Sequence, residues 1–249
     1  MEHGVSAAVG GSDIPPAAAR LFRAERVALA SRYADLLCTD GVVRGLIGPR
    51  EAPRIWDRHL LNCVLMAPAL APGQRVADIG SGAGLPGLVL AIARPDVHFT
   101  LIEPLLRRTT FLEEVVAELG LDNVKVERGR ADVFHGKQSF DVVTARAVSA
   151  LENLIAWGMP LVGAGGSLLV MKGSSAEDEV GGARAALEAW GCSEPEILEL
   201  DDPDAGSVRL VRVGWSGEPR VSLRTHAGRA RKGAPRSRGQ GRKGRRNAQ

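Results

Sequence analysis

No uninterrupted apolar run in this 249-residue sequence reaches the roughly 18 residues that a membrane-crossing helix needs. Met1 to Gly11 has neither a basic start nor an apolar stretch, so neither export nor membrane insertion is expected, and the chain is expected to work in the cytoplasm. Cysteine is scarce. The three present, Cys38, Cys63 and Cys192, lie far apart inside apolar segments without metal-ligand spacing and are expected to act as small buried hydrophobes. His3, His98, His135 and His226 likewise show no metal-binding spacing, and no metal is expected. There is no internal repeat and no collagen-like or coiled-coil pattern. The remaining composition, 45% hydrophobic and 24% charged, is that of one ordinary globular domain.

Acidic residues are missing altogether from Arg220 to Gln249, where eleven of the chain's 32 basic residues fall. That leaves 21 basic and 29 acidic residues before Arg220, so a body of charge −8 carries a tail of charge +11. Such a tail binds polyanions by neutralising phosphates and releasing counterions, which needs charge density and no fold. Arg229, Arg231, Lys232, Arg236, Arg238, Arg242, Lys243, Arg245 and Arg246 are therefore candidate RNA contacts within a low-complexity segment over 217–249 that is expected to be disordered.

Residues 1–16 read as a flexible leader, and 17–72 as a helical cap with helices over Ala17 to Leu37 and Ile55 to Met66, interrupted by Gly41, Gly45, Gly48 and Pro49. From 73 to 216 short β-branched runs alternate with longer amphipathic ones, the pattern of a parallel sheet covered by helices. Strands are expected at Arg75–Ile79, His98–Ile102, Val124–Glu127, Asp141–Thr144 and Ser167–Met171, with Pro195–Leu200 and Ser207–Val213 as a closing antiparallel pair. Helices are expected at Leu85–Ala93, Leu105–Leu119 with Gly120 as cap, Ala150–Leu161, and Ala176–Trp190 with Gly191 as cap.

The sharpest local signal is the run Asp78-Ile79-Gly80-Ser81-Gly82-Ala83-Gly84-Leu85-Pro86-Gly87, a strand ending in glycines that opens a helix. Glycines suit a tight turn and a ligand approaching closer than a Cβ permits. Gly82, Gly84 and Gly87 satisfy the dinucleotide pattern, so a nicotinamide-dependent oxidoreductase stays open. Two details favour S-adenosylmethionine. Asp78, two residues before the first glycine, would attract the positive methionine end and repel a pyrophosphate, and Gly80 widens the loop. Glu103, ending the next strand, is placed to accept from ribose hydroxyls with either ligand. Arg146 and Lys172 end strands at the edge where open α/β sheets bind ligands.

This loop, with Arg58-His59-Leu60-Leu61-Asn62 before it and Arg94-Pro95 after it, resembles the bacterial small-subunit (16S) ribosomal RNA guanine-N7 methyltransferase G family, also called glucose-inhibited division protein B. Further matches are Arg107-Arg108, Arg130-Ala131-Asp132, Thr144-Ala145-Arg146-Ala147 and Met171-Lys172-Gly173, and the resemblance spans about residues 20–213. It implies a class I S-adenosylmethionine-dependent methyltransferase: a Rossmann-like, seven-stranded, mostly parallel sheet with helices on both faces and a small N-terminal helical cap. S-adenosylhomocysteine would be the product, and ribosomal RNA or the small ribosomal subunit the partner, met by a monomer. Gly80 and Leu85 would line the donor pocket beside Asp78, Gly82, Gly84 and Glu103; Ala131 and Asp132 would contact adenine; Arg146 would border donor and base. Arg58 and His59 would line the mouth as catalytic candidates with Arg146, and Arg58 and Lys172 would meet RNA. Many members have Asp at position 103 and Glu at 132. The rival in another class is a non-catalytic RNA-binding or ribosome-assembly protein that retains the donor pocket. Guanine N7 has a free lone pair, so no general base is needed. This accords with the absence of a Cys nucleophile pair and of an Asn-Pro-Pro-Tyr motif.

Overall fold

The computed structural model describes residues 14–146 and 149–220. The helical elements ahead of the sheet are α1 (Pro16–Leu21), α2 (Ala24–Leu36) and the single turn α3 (Asn62–Val64). The strands are β1 (Arg75–Ile79), β2 (His98–Glu103), β3 (Val124–Arg128), β4 (Phe140–Arg146), β5 (Val162–Lys172), β6 (Glu196–Asp202) and β7 (Gly206–Gly214). Among them run α4 (Gly87–Ala93), α5 (Leu106–Leu119), α6 (Leu151–Gly158), α7 (Ala176–Gly182) and α8 (Arg184–Trp190).

The seven strands make one sheet in the order β3-β2-β1-β4-β5-β7-β6. β1 to β5 are parallel, whereas β7 is antiparallel to both β5 and β6. The chain order reverses between β1 and β4, and in open α/β sheets ligands bind at such a switch point, outside the carboxyl ends of the strands. The glycine loop leaves β1 there, and Arg146 closes β4.

Strand alternation sorts the side chains onto two cores. Val76 of β1 and Val142 of β4 join Tyr33, Leu37, Leu60 and Met66 of the N-terminal segment with α4 and α5. Ala77, Ile79, Val143 and Ala145 face the opposite core, with α6 and the α7–α8 pair. The same parity directs Thr144 to Met66 and Arg146 to Cys63. Residues 17–72 therefore share a core with the sheet, and Arg94 reinforces the junction by donating to the carbonyls of Ala67 (2.8 Å) and Leu70 (2.6 Å).

The helical expectations need three corrections. The helix expected over Ala17–Leu37 is broken at Phe22 and Arg23, both extended, where Phe22 is buried edge-on against Trp56. Beyond α2 the chain then continues as a wide π-type turn over Leu37–Gly41. The stretch Ile55–Leu61 is also wound in this wider form, giving way to α3. The helix expected over Ala176–Trp190 divides at Ala183, directly after Gly181-Gly182, whose low helix propensity marks the break. Gly120 and Gly191 end their helices in the left-handed conformation, as expected. Of the cysteines, Cys63 is buried whereas Cys38 and Cys192 are half-buried.

Candidate active site

Two adjoining cavities open at the switch point and share Gly80. One, about 570 Å³, is lined by Gly80, Gly82, Leu85, Glu103, His59 and Arg146, with Leu46, Ile47, Leu105 and Arg108 completing its walls. The other is a narrower slot of about 210 Å³ between Ile79, Ile102 and Pro104 on one side and Ala131, Asp132 and Trp157 on the other. A third, wider cleft of about 920 Å³ lies beyond Arg146, bounded by Asn62, Ser149, Lys172, Glu179, Glu199 and Arg209. Arg146 lines both the first cavity and this cleft.

The loop has an inner and an outer side. Gly80 and Gly82 have φ of 70° and 59°, in the left-handed region that favours glycine, and a Cβ on Gly82 would meet only the Gly80 carbonyl oxygen, at an unstrained 3.8 Å. A Cβ on Gly84 (φ 100°) would instead run into Leu88 and stand 2.8 Å from the Tyr33 hydroxyl. That hydroxyl donates to the Ala83 carbonyl at 2.7 Å, so the cap holds the loop from behind.

Asp78 belongs to the inner side as well. The sequence places it against the donor's positive end; in the structure it is wholly buried beneath the loop and lines neither donor-side cavity. Its Oδ2 accepts from the Gly87 amide at 3.0 Å, whereas Oδ1 is buried without a partner among the described residues. Burial, opposed by that amide bond, pushes the carboxyl up to about 7. Through the amide bond it ties the end of β1 to the start of α4.

Glu103 is buried at the end of β2. Oε2 accepts from the Gly82 amide and Oε1 from the Leu105 amide, both at 3.0 Å, with Arg108 3.4 Å from Oε2. Each carboxylate oxygen has two acceptor positions, so with Gly82 and Arg108 on Oε2 and Leu105 on Oε1 capacity remains at Oε1 for one hydroxyl. Ala131 and Asp132 stand together on the slot wall, although the Asp132 carboxylate itself is 61% exposed and 3.7 Å from Arg130.

Arg146 is fixed from three directions. One Nη1 hydrogen goes to the Cys63 sulfur (3.0 Å), while Nη2 bonds the Arg58 carbonyl (2.9 Å) and His59 Nδ1 (2.8 Å). The wide turn over Ile55–Leu61 thus presents a carbonyl and a ring nitrogen to the same guanidinium. His59 Nε2 is 2.9 Å from Glu51 Oε2. Burial first, then the Arg146 charge, lowers His59 below its ordinary value despite the opposing pull of Glu51. Burial pushes the Cys63 thiol up to about 11.

Two RNA candidates are placed differently from what the sequence suggests. The Arg58 side chain is half exposed and paired with Glu51 at 3.1 Å, and its backbone carbonyl is what meets Arg146. Lys172 is only 8% exposed, its ammonium committed to the Ser149 carbonyl (2.9 Å) and Glu179 (2.6 Å). The tail candidates Arg229, Arg231, Lys232, Arg236, Arg238, Arg242, Lys243, Arg245 and Arg246 lie outside the described residues. Glu51, Tyr33 and Trp157 escaped the sequence analysis because no spacing ties them to the loop; only the folded cap and α6 bring them there.

The family model described as rRNA small subunit methyltransferase G matches residues 26–205. The chain belongs to this family. A protein of a Nocardioides species named ribosomal RNA small subunit methyltransferase G is 55% identical over 230 residues, covering 92% of each chain. One of the same name from Thermobifida fusca is 47% identical over 232 residues, covering 90% of this chain and 98% of its own. Among solved structures, P. horikoshii TYW2 in complex with MeSAdo aligns with a TM-score of 0.52 at 18% identity, covering 64% of this chain and 63% of that one, a likeness of fold alone. The seven-stranded, mostly parallel sheet is the Rossmann-like class I methyltransferase fold.

The residues present fit an S-adenosylmethionine-sized donor. Gly80 and Gly82 leave backbone free of Cβ atoms along the wider cavity, Glu103 has an acceptor position left for a ribose hydroxyl, and the narrower slot is largely apolar, as an adenine ring requires. Among the described residues, no group of three or more His, Cys, Asp and Glu is arranged to hold a metal ion. No described helix is long and apolar enough to cross a membrane.

Proposed function

We propose that this protein transfers the methyl group of S-adenosylmethionine to N7 of a guanine in small-subunit (16S) ribosomal RNA. The observation that carries the reading is the position of Arg146, on the wall common to a glycine-lined cavity fitting the donor and a wider cleft able to take a base. The relatives' name supplies the class of substrate.

When bound, the donor supplies an electrophilic sulfonium methyl. The Gly80 and Gly82 backbone, Leu85 and Glu103 bind it, with Ala131 and Asp132 beside the adenine slot. Arg146, held by Cys63, His59 and the Arg58 carbonyl, spends three of its five N–H groups on the protein, leaving two to orient what lies in the cavities. Guanine N7 attacks with its own lone pair, so catalysis consists of approximation and in-line alignment and needs no proton acceptor. The protein works as a monomer in the cytoplasm. In support of the monomer, the large apolar side chains exposed among the described residues come from four separate segments, at Ile14, Val43, Leu105–Leu106 and Val133.

The test is methyl transfer to small-subunit particles and to their naked RNA, with the modified nucleoside mapped. Wild type is expected to produce a single 7-methylguanosine, and Arg146→Ala to lower the rate about 100-fold. Donor binding without transfer to either substrate would favour the non-catalytic assembly protein. Full activity of Arg146→Ala would remove that residue from the site.

A further inference from the structure

An arginine in a protein only donates hydrogen bonds, so the 2.8 Å contact from Arg146 Nη2 requires His59 Nδ1 to be an acceptor. The ring is then neutral with its proton on Nε2, and that N–H donates to Glu51 Oε2 at 2.9 Å. The three side chains come from different places. Glu51 precedes the short helical turn Ala52–Arg54, His59 lies in the wide turn over Ile55–Leu61, and Arg146 ends β4. Reversing the ring's tautomer would set an Nδ1–H against the guanidinium and lose the bond.

We propose that Glu51 is a positioning residue, which fixes the tautomer of His59 and through it the orientation of Arg146 between the donor cavity and the base cleft. The proposal rests on the assignment of Arg146 to methyl transfer. It also makes the reaction sensitive to acid, because protonation of His59 at Nδ1 abolishes the acceptor. The charged groups facing His59 are Arg146 from β4, Glu51 from the loop, and Arg58 from its own segment. Burial and the two arginines hold its titration below the ordinary histidine value and Glu51 alone raises it, so the acid limb of the rate should lie below pH ~6.5.

The experiment measures single-turnover methyl transfer to small-subunit RNA or particles at saturating donor, from pH 5 to 8.5, for wild type, Glu51→Ala, Glu51→Gln, Arg146→Ala and the Glu51→Ala/Arg146→Ala double variant. Glu51→Ala is expected to be about tenfold slower at pH 8 with an unchanged unfolding midpoint. Glu51→Gln keeps an acceptor for the Nε2 proton but loses the charge. Its rate at pH 8 is expected to stay within about threefold of wild type while its acid limb moves to lower pH. In the Arg146→Ala background, removing Glu51 should cost nothing further. A Glu51→Ala rate equal to wild type, an equal loss with and without Arg146, or an acid limb unmoved in Glu51→Gln would each overturn the proposal while leaving Arg146 in place. Full activity of Arg146→Ala would overturn the assignment beneath it as well.

Discussion

The two sides of Arg146 are built from different materials. On the donor side the loop wall is backbone: Gly80 and Gly82 with positive φ, and the amides of Gly82 and Leu105 on Glu103. On the base side they are charged side chains already paired with each other, Lys172 with Glu179 and Arg209 with Glu177 and Glu199. A backbone wall is preorganised and insensitive to salt, whereas in the cleft Lys172 and Arg209 are matched by carboxylates and only Arg146 is held by uncharged partners, which leaves little net charge to offer a phosphate. The donor side therefore supplies shape.

The heaviest blow to the donor side should come from its inner face. Gly84→Ala combines a left-handed backbone with a clash against Leu88 and the Tyr33 hydroxyl, and is expected to cost about 3 kcal/mol of stability along with donor binding. Gly82→Ala meets no clash and incurs only the left-handed penalty, about 1 kcal/mol; it should stay folded while binding the donor more weakly. Denaturant unfolding paired with calorimetric donor titration separates the two. Equal stability losses would dissolve the distinction between inner and outer glycines.

The same inner face predicts a pH dependence. Asp78 is raised in the folded protein to about 7 from an ordinary 3.8, because burial disfavours its charge. Raised titration means that the stability it contributes is fully present below pH ~4 and is lost as pH rises through ~7. Against wild type in the absence of donor, Asp78→Asn should therefore look worst near pH 4 and improve steadily up to pH 7 to 8. A stability difference constant across that range would mean that Asp78 stays charged in the folded state.

The contrast also explains what the sequence disclosed. A backbone wall leaves its signature in composition, since glycines at 80, 82, 84 and 87 are required locally, and the strand before them was readable as Arg75–Ile79. What glycine spacing could not reveal is which glycine faces a ligand and which faces Tyr33, 50 residues from the carbonyl that it holds. The break at Phe22 was invisible for a similar reason: no weak helix former marks it, and the Trp56 against which Phe22 packs lies in another segment. Partners joined by side chains across the fold, Glu51 to His59 or Lys172 to Glu179, carry no local signal, so Lys172 looked available for RNA although its charge is matched.

The smallest expected effect concerns where phosphate attraction resides. The body before Arg220 has charge −8 and Lys172 and Arg209 of the base cleft are paired with carboxylates, whereas the residues after Arg220 carry ten basic groups and no acid. Arg220 itself reaches the Ala189 carbonyl at 3.4 Å, so truncation directly after it spares the described contacts. That truncation should weaken RNA or particle binding several-fold at low salt and reduce the slope of log affinity against log salt by about 0.7 to 0.9 for each phosphate that the tail had neutralised. Donor binding should not change, because no donor-side wall includes the removed residues. Arginine predominates among the removed cations, eight against two lysines, which suits bidentate phosphate contacts and base stacking over point-charge attraction. Identical affinities and salt slopes for full-length and truncated protein would return recognition to the body. The exposed arginines around the cap would then have to overcome its net negative charge locally, and the pairing seen in the cleft would have to open when RNA arrives.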